Sequence, residues 1–312
     1  MTVSVVIPTV GRDTLTTVLR ALAAQPEVIV VDDRPAPGGP LVVPPWVTVV
    51  RGRAAGPAAA RNTGWRAARG EWVAFLDDDV APVRDWAERL AADLTVGPGV
   101  GAVQGRVVVP LPGDRPPTDW ERCTAGLAAA RWITADMAYR RAVLEEVGGF
   151  DERFPRAYRE DAELALRVRA AGYRLEVGTR VVTHPVRPES RWVSLRTQRG
   201  NADDALMRRL HGPRWRDLAE APPGRRTRHA AVTAAGMLAL LAAPRSRVVA
   251  AAAGLAAAAG IVEFAWARIA PGPRTRDEVL AMAVTSVLIP PVATAHWLRG
   301  WFAHRGAVPW TP

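Results

Sequence analysis

Four short clusters in the chain combine the residue types that bind and move phosphorylated ligands. The densest is Val73-Ala-Phe-Leu-Asp77-Asp78-Asp79. Three adjacent carboxylates repel one another unless a cation offsets them. Asp77 and Asp79 can hold Mg2+ or Mn2+ through oxygen and still leave coordination positions for diphosphate oxygens. A metal there neutralises charge building on a departing diphosphate. The same spelling also suits a solvated turn that caps the next helix. The second cluster, Val31-Asp32-Asp33, offers carboxylates that accept hydrogen bonds from a ribose hydroxyl or a base N–H, or simply ends a strand. In the third, Gly56-Pro-Ala-Ala-Ala-Arg61-Asn62-Thr-Gly64, Arg61 supplies a forked donor set suited to phosphate or carboxylate. The fourth is Arg159-Glu160-Asp161-Ala-Glu163-Leu-Ala-Leu-Arg167. Carboxylates in a helix's first turn are ordinary dipole partners, but Asp161 can also act as a general base that removes a hydroxyl proton.

These clusters need elements that bring them together. Val3 to Ile7 is a β-branched apolar run that predicts a buried strand, and Val28–Val31, Val47–Val50 and Trp72–Leu76 repeat the pattern. Between them, 14–24 and 58–68 carry helical spacing, and further helices are predicted over 83–94, 141–147 and 162–171. A strand at 101–109 leads into a proline-rich loop at 110–117, and a further strand follows at 173–182. Strands alternating with helices imply an α/β fold, a Rossmann-like, mostly parallel sheet with helices on both faces. Two of its strands end in acidic pairs, and the C-terminal edge of such a sheet is where ligands sit.

Composition narrows the partners. The formal charge is +10, and every one of the 41 basic residues is Arg. They are scattered, with no basic module interleaved with aromatics, so nucleic acid is not an expected partner. The single cysteine, Cys123, excludes an intrachain disulfide and a cysteine zinc site, and is expected to be a small core residue. Met1 runs directly into a strand without a basic-then-apolar leader, so the catalytic part is expected in the cytoplasm.

Composition changes after Asp217. The expected organisation is a catalytic domain over 1–217, a linker over 218–228 and a hydrophobic helical region over 229–312. That last region has apolar blocks at 229–243, 247–270 and 279–298, interrupted by Glu263, Arg268 and Pro290-Pro291. Apolar character around the whole circumference favours membrane association over a soluble bundle, with Trp297, Trp301 and Trp310 available at an interface.

In this order and at these distances, the clusters resemble a family-2 glycosyltransferase of the GT-A fold. The segments that carry the resemblance are Val-Ser-Val-Val-Ile-Pro-Thr, Val-Val-Asp-Asp, Ala-Arg-Asn-Thr-Gly, Phe-Leu-Asp-Asp-Asp, Tyr139 through Phe154, and Arg-Glu-Asp-Ala-Glu-Leu, all within about residues 1–185. The resemblance implies nucleotide-sugar contacts from Pro8, Asp32, Asp33, Arg61 and Glu160. It makes Asp77 and Asp79 the ends of a metal-binding Asp-x-Asp, with Asp78 near the ribose or diphosphate. Asp161 becomes the base of an inverting single displacement, and His184 completes the metal or diphosphate site. The implied partners are a nucleotide-diphosphate sugar and a glycan or lipid-linked acceptor at the inner face of a cell membrane. Arg34-Pro35 after Asp33 departs from the family's small or polar residues. Gln198-Arg199 is followed by Gly200-Asn201, so the Gln-x-x-Arg-Trp signature of processive synthases is absent and one sugar per turnover is expected. A nucleotidyltransferase would need a glycine-rich loop where Pro8-Thr-Val-Gly11-Arg12 stands. A catalytically degenerate binding protein would not need intact Asp77, Asp79 and Asp161.

Overall fold

The computed structural model describes residues 1–23 and 25–310. Its centre is an eight-stranded sheet in the order β3-β2-β1-β4-β7-β6-β8-β5. The strands are β1 (Val3–Thr9), β2 (Glu27–Asp32), β3 (Thr48–Arg51), β4 (Trp72–Leu76), β5 (Ala81–Pro82), β6 (Val100–Val108), β7 (Asp136–Arg140) and β8 (Arg174–Thr183). Val5, Val6 and Ile7 on β1 are completely buried, as a central strand covered on both faces requires. Parallel pairing of β1 with β2 and β4 sets Thr9 opposite Asp32 and Val6 opposite Phe75. The three strands therefore finish at one edge.

Sequence periodicity misses β7, which enters antiparallel between β4 and β6 and sets Asp136 opposite Leu76. Its Asp-Met-Ala-Tyr-Arg spelling has charged ends and no β-branched run, so only the neighbouring strands make it a strand. The sheet is consequently more mixed than the reading above expects.

Helices cover both faces. On one side α1 (Leu15–Ala21) and α3 (Trp86–Asp93) bury Leu15, Val18, Leu19, Trp86 and Leu90. On the other, α2 (Pro57–Ala67), α5 (Arg141–Val147) and α6 (Glu160–Ala170) bury Trp65, Val143, Leu144, Leu164 and Val168. A Cβ at Gly64 would collide with Val6 Cγ1, so glycine lets α2 lie against the sheet. Gly56, at φ +95°, starts the helix in a conformation closed to L side chains, with Pro57 following.

The chain continues through α4 (Asp119–Ala125), between β6 and β7, and after β8 through α7 (Val193–Arg196), α8 (Asn201–His211) and α9 (Trp215–Leu218). Three long helices finish it: α10 (Arg226–Ala242), α11 (Arg247–Ile269) and α12 (Arg276–Ala303). Ser246 and Thr275 cap the last two by accepting from Val249 N at 3.3 Å and Glu278 N at 3.4 Å. Helix α12 runs unbroken through Pro290-Pro291 and packs along α8, where Gly300 lies against the Ala202 backbone. By length and composition α11 and α12 are each able to cross a membrane.

Candidate active site

The acidic strand ends open into a cleft of about 530 Å3, within the usual range for ligand pockets. Pro8, Asp33, Arg61, Asp77, Asp78 and Asp79 line it, as do Glu160, Asp161 and His184. Asp32 does not. Its carboxylate receives Arg34 Nε and Nη2, both at 2.8 Å, and Arg51 Nη1 at 3.3 Å. The Arg34 hydrogen bond holds its pKa below the usual carboxylate range, against the opposing effect of burial. Asp33 accepts from Ala54 N at 2.7 Å and Gly56 N at 3.3 Å, organising the loop that enters α2.

The three consecutive aspartates have three different partners. Asp77 accepts from Arg61 Nη2 at 2.8 Å and remains partly exposed. Asp78 is buried, accepts from Thr9 Oγ1 at 2.6 Å and pairs with Arg12. Burial raises its pKa, and Thr9 and Arg12 oppose that rise. Asp79 lies 3.2 Å from Arg187 Nη1 and 3.7 Å from His184 Nε2. Successive side chains point different ways, so each carboxylate meets a separate cation.

Arg61 is the hub. It is 2% exposed, and its two terminal nitrogens reach Asp77 and Glu160, each at 2.8 Å. The surrounding carboxylates outweigh burial and raise its pKa. Its neighbour Asn62 faces away from the cleft, donating to Phe150 O at 2.8 Å and Glu152 Oε1 at 2.9 Å and accepting from Phe150 N at 2.8 Å. Asn62 thereby ties α2 to the turn after α5.

Asp161 sits in the first turn of α6, where Oδ1 accepts from Ala162 N at 2.7 Å. Arg159 just before that turn adopts φ +78°, an uncommon conformation for a non-glycine residue. It is held there by Asp204, 2.8 Å from Nε, and by stacking on Tyr158 and Trp215. This bend directs Glu160 and Asp161 at the cleft. Burial, then the charge of Asp161, pushes the Glu160 carboxyl up to about 8, and burial also holds Asp161 above its ordinary value.

The opposite wall comes from α4 through Trp120, Cys123 and Thr124. Cys123 is exposed here, which corrects the expectation of a core cysteine: the helix turns Thr124 inward and leaves Cys123 on the cleft wall. Helix α4 is pinned from outside the sheet. Asp119 Oδ2 pairs with Arg268 Nη2 at 2.8 Å, Asp119 N donates to Glu278 Oε1 at 2.7 Å, and Arg122 Nη2 donates to Arg268 O at 2.7 Å.

Sequence reasoning did not single out Thr9, Arg12, Arg159, Arg187 or Trp120 as site residues. Arg12 and Arg187 carried a faint signal: one lies in the loop after β1, and the other three residues beyond His184. Among the described residues, no three His, Cys, Asp or Glu side chains form a ready metal cage. Asp77 and Asp79 take different partners, Arg61 and Arg187, while His184 Nε2 stands 3.7 Å from Asp79. A carboxylate beside an imidazole suits Mn2+, which commonly takes its remaining ligands from water and substrate phosphates. Arg187 stands against Asp79 where such a cation would compete with it.

A sheet whose acidic strand ends share one cleft with a carboxylate pair from a later helix defines the GT-A class of fold. The chain belongs to glycosyl transferase family 2, whose model matches residues 4–162, while the model of glycosyl transferase family 21 matches residues 118–310. The chain is similar to the pre-mycofactocin glycosyltransferase of Mycobacterium tuberculosis, 34% identical over 154 residues, covering 45% of this chain and 32% of that protein. It is 30% identical over 141 residues to glycosyltransferase AglE of Haloferax volcanii, covering 43% of this chain and 45% of that protein. It thus spans less than half the length of these relatives. The mannosyltransferase PcManGT of Pyrobaculum calidifontis, solved with GDP-Man and Mn2+, superposes with a TM-score of 0.57 at 26% identity, covering 92% of this chain and 86% of that one.

Proposed function

We propose that this chain is an inverting glycosyltransferase that moves a sugar from a nucleotide-diphosphate donor to a hydroxyl of a lipid-linked or envelope glycan. In this reading residues 1–217 are the catalytic domain, 218–228 a linker, and 229–312 a helical region that holds the enzyme on the cytoplasmic face of a membrane. One observation carries it: buried Arg61 joins Asp77 to Glu160, next to Asp161, bringing the diphosphate-facing strand end and the candidate base to one cleft.

Asp161 takes the proton from the acceptor hydroxyl as that oxygen bonds to the anomeric carbon. The bond from that carbon to the diphosphate breaks, and the nucleoside diphosphate leaves with the electron pair. One displacement inverts the anomeric centre. Asp79 and His184, with Asp77 at the rim, would hold Mn2+ or Mg2+, which supplies charge to offset the leaving diphosphate. Arg12 and Arg187 border the same space and can bind diphosphate oxygens when they exchange partners. Pro8 and Asp33 line the end where a nucleoside would lie, while Asp32 supports that loop through Arg34.

Membrane attachment is supported by the apolar exterior of the last helices, including Leu240 at 78% and Leu255 at 72% exposure. At 23 residues, α11 is about 34 Å long, enough for a hydrocarbon core of about 30 Å.

The test uses full-length protein in detergent with Mn2+. Nucleoside diphosphates are screened for binding, and nucleotide sugars, beginning with GDP-mannose, for hydrolysis and transfer. A donor-dependent turnover that Asp161→Asn abolishes without loss of nucleotide binding supports the reading. Full turnover in Asp161→Asn, or inertness of the wild type towards every donor, overturns it.

A further inference from the structure

A second cavity, of about 430 Å3, lies where α8, α9 and the start of α10 meet, and it shares no lining residue with the catalytic cleft. Its wall is cationic. Arg208, Arg216 and Arg226 line it, with Asp204 and Asp217 as the acidic residues. Asp204 is already divided between Arg159 and Arg216, and Arg216 also donates to Pro222 O at 2.9 Å. Among the described residues, Arg208 and Arg226 have neither a salt bridge nor a hydrogen-bond acceptor, and Asp217 pairs with neither.

Two of the guanidiniums are oriented by aromatic faces. Arg216 stacks on Trp215 at 4.5 Å and Arg226 on Trp297 at 4.8 Å. Burial, together with the charges of Arg208 and Arg216, holds Arg226 below its ordinary pKa. Three like charges kept close are costly unless anions offset them, and Asp204, shared with Arg159, pairs only with Arg216 among the three.

The cavity does not end there. Arg226 and Trp297 also border a smaller groove of about 100 Å3 between α10 and α12, walled by Ala230, Ala293 and Leu298 with Asn201, His229 and Thr294 at its margin, and its open surface is almost wholly apolar. A cationic chamber therefore continues into an apolar slot. Free phosphate would use only the first compartment, whereas an amphiphile would use both.

We propose that this junction is a binding site for the phosphate headgroup of a membrane lipid, with Arg208, Arg216 and Arg226 on the phosphate and the start of an acyl chain in the α10–α12 groove. It lies outside the catalytic cleft and requires nothing of the sugar-transfer reaction. It rests on the membrane attachment proposed above. A bound lipid would brace the last helices against α8 and α9, and through Asp204 and Arg159 against the turn that presents Asp161.

The test is thermal stabilisation of detergent-solubilised full-length protein by short-chain phosphatidylglycerol, short-chain phosphatidylcholine and inorganic phosphate. The expected result is saturable stabilisation by phosphatidylglycerol that the other two do not match. Arg208→Ala/Arg226→Ala should raise the half-saturating concentration about 25-fold, taking about fivefold for each charge. Arg20→Ala/Arg84→Ala, an equal loss of charge at remote exposed positions, should leave it unchanged. Arg208→Gln alone covers the case in which the double variant folds poorly, since Arg208 has no side-chain partner to lose among the described residues. Equal stabilisation by inorganic phosphate would overturn the lipid assignment. An unaltered response in the Arg208 variants, or equal weakening in the remote pair, would overturn the site. Neither readout involves donor or metal, so failure here is separate from failure of the transfer reaction.

Discussion

The sheet region and the three C-terminal helices solve opposite problems. In the sheet, apolar side chains are inside and charge collects at the open cleft: Val5, Val6 and Ile7 are buried, while Asp77 meets solvent. In α10–α12 many large apolar side chains are outside, although Met282 and Ile289 are buried. Val248 is 80% exposed and Leu255 72%, whereas Arg268 is 7% exposed and bonds Thr285 Oγ1 at 2.8 Å and Ser286 Oγ at 3.1 Å. Large apolar surface left open to water commonly marks a site of interaction with protein or membrane. In the reading proposed above, one region is built around a polar ligand and the other for apolar surroundings. The two are joined by polar contacts at α4, through Asp119, Arg268 and Glu278.

The largest test of this contrast is at the cleft. Asp161→Asn should lower kcat by about 10²–10⁴ in a transfer assay, the usual worth of a general base. Next comes Arg61→Ala, which strands Glu160 and Asp77 and should cost about 3–5 kcal/mol in a denaturant melt. An unchanged melt would show that the hub is not structural. The junction should respond less: Arg268→Ala is expected to cost roughly 2–3 kcal/mol, because Asp119, Thr285 and Ser286 lose a charged donor. The smallest change is outside. Leu240→Ser/Leu255→Ser should stay within about ±0.5 kcal/mol per site in detergent, yet move the protein from membrane pellet towards supernatant. A large loss of stability there would mean that these faces are packed rather than lipid-facing.

Acidity sharpens the same comparison, since only the cleft is expected to titrate with activity. Asp161 and Glu160 both carry raised pKa values, Glu160 up to about 8, and a base works only when unprotonated. Measured kcat/KM should therefore rise with pH as the pair loses its proton and fall in acid. The acid limb should lie above the ordinary aspartate value of about 3.9. A limb at or below that value would remove Asp161 from the role of base.

Much of the framework was legible in the chain itself. Apolar runs such as Val3–Ile7 and Trp72–Leu76 announce strands, because a strand buried on both faces needs continuous apolar residues. Asp33 and Asp77 to Asp79 at their ends line the cleft, and the long apolar helices begin at Arg226. These features are local, and local spacing reports them. Strand β7 was hidden, since its place comes from hydrogen bonds to β4 and β6 rather than from its own spelling. The partners of the aspartates were hidden as well. Arg61 and Glu160 are 99 residues apart and Thr9 and Asp78 are 69, so folding alone decided that Arg61 would bridge two clusters while Asp32 turned to Arg34. Sequence determines which residue types stand at each strand end. Which charge meets which depends on long-range packing, because a buried carboxylate takes whatever cation the fold brings within reach.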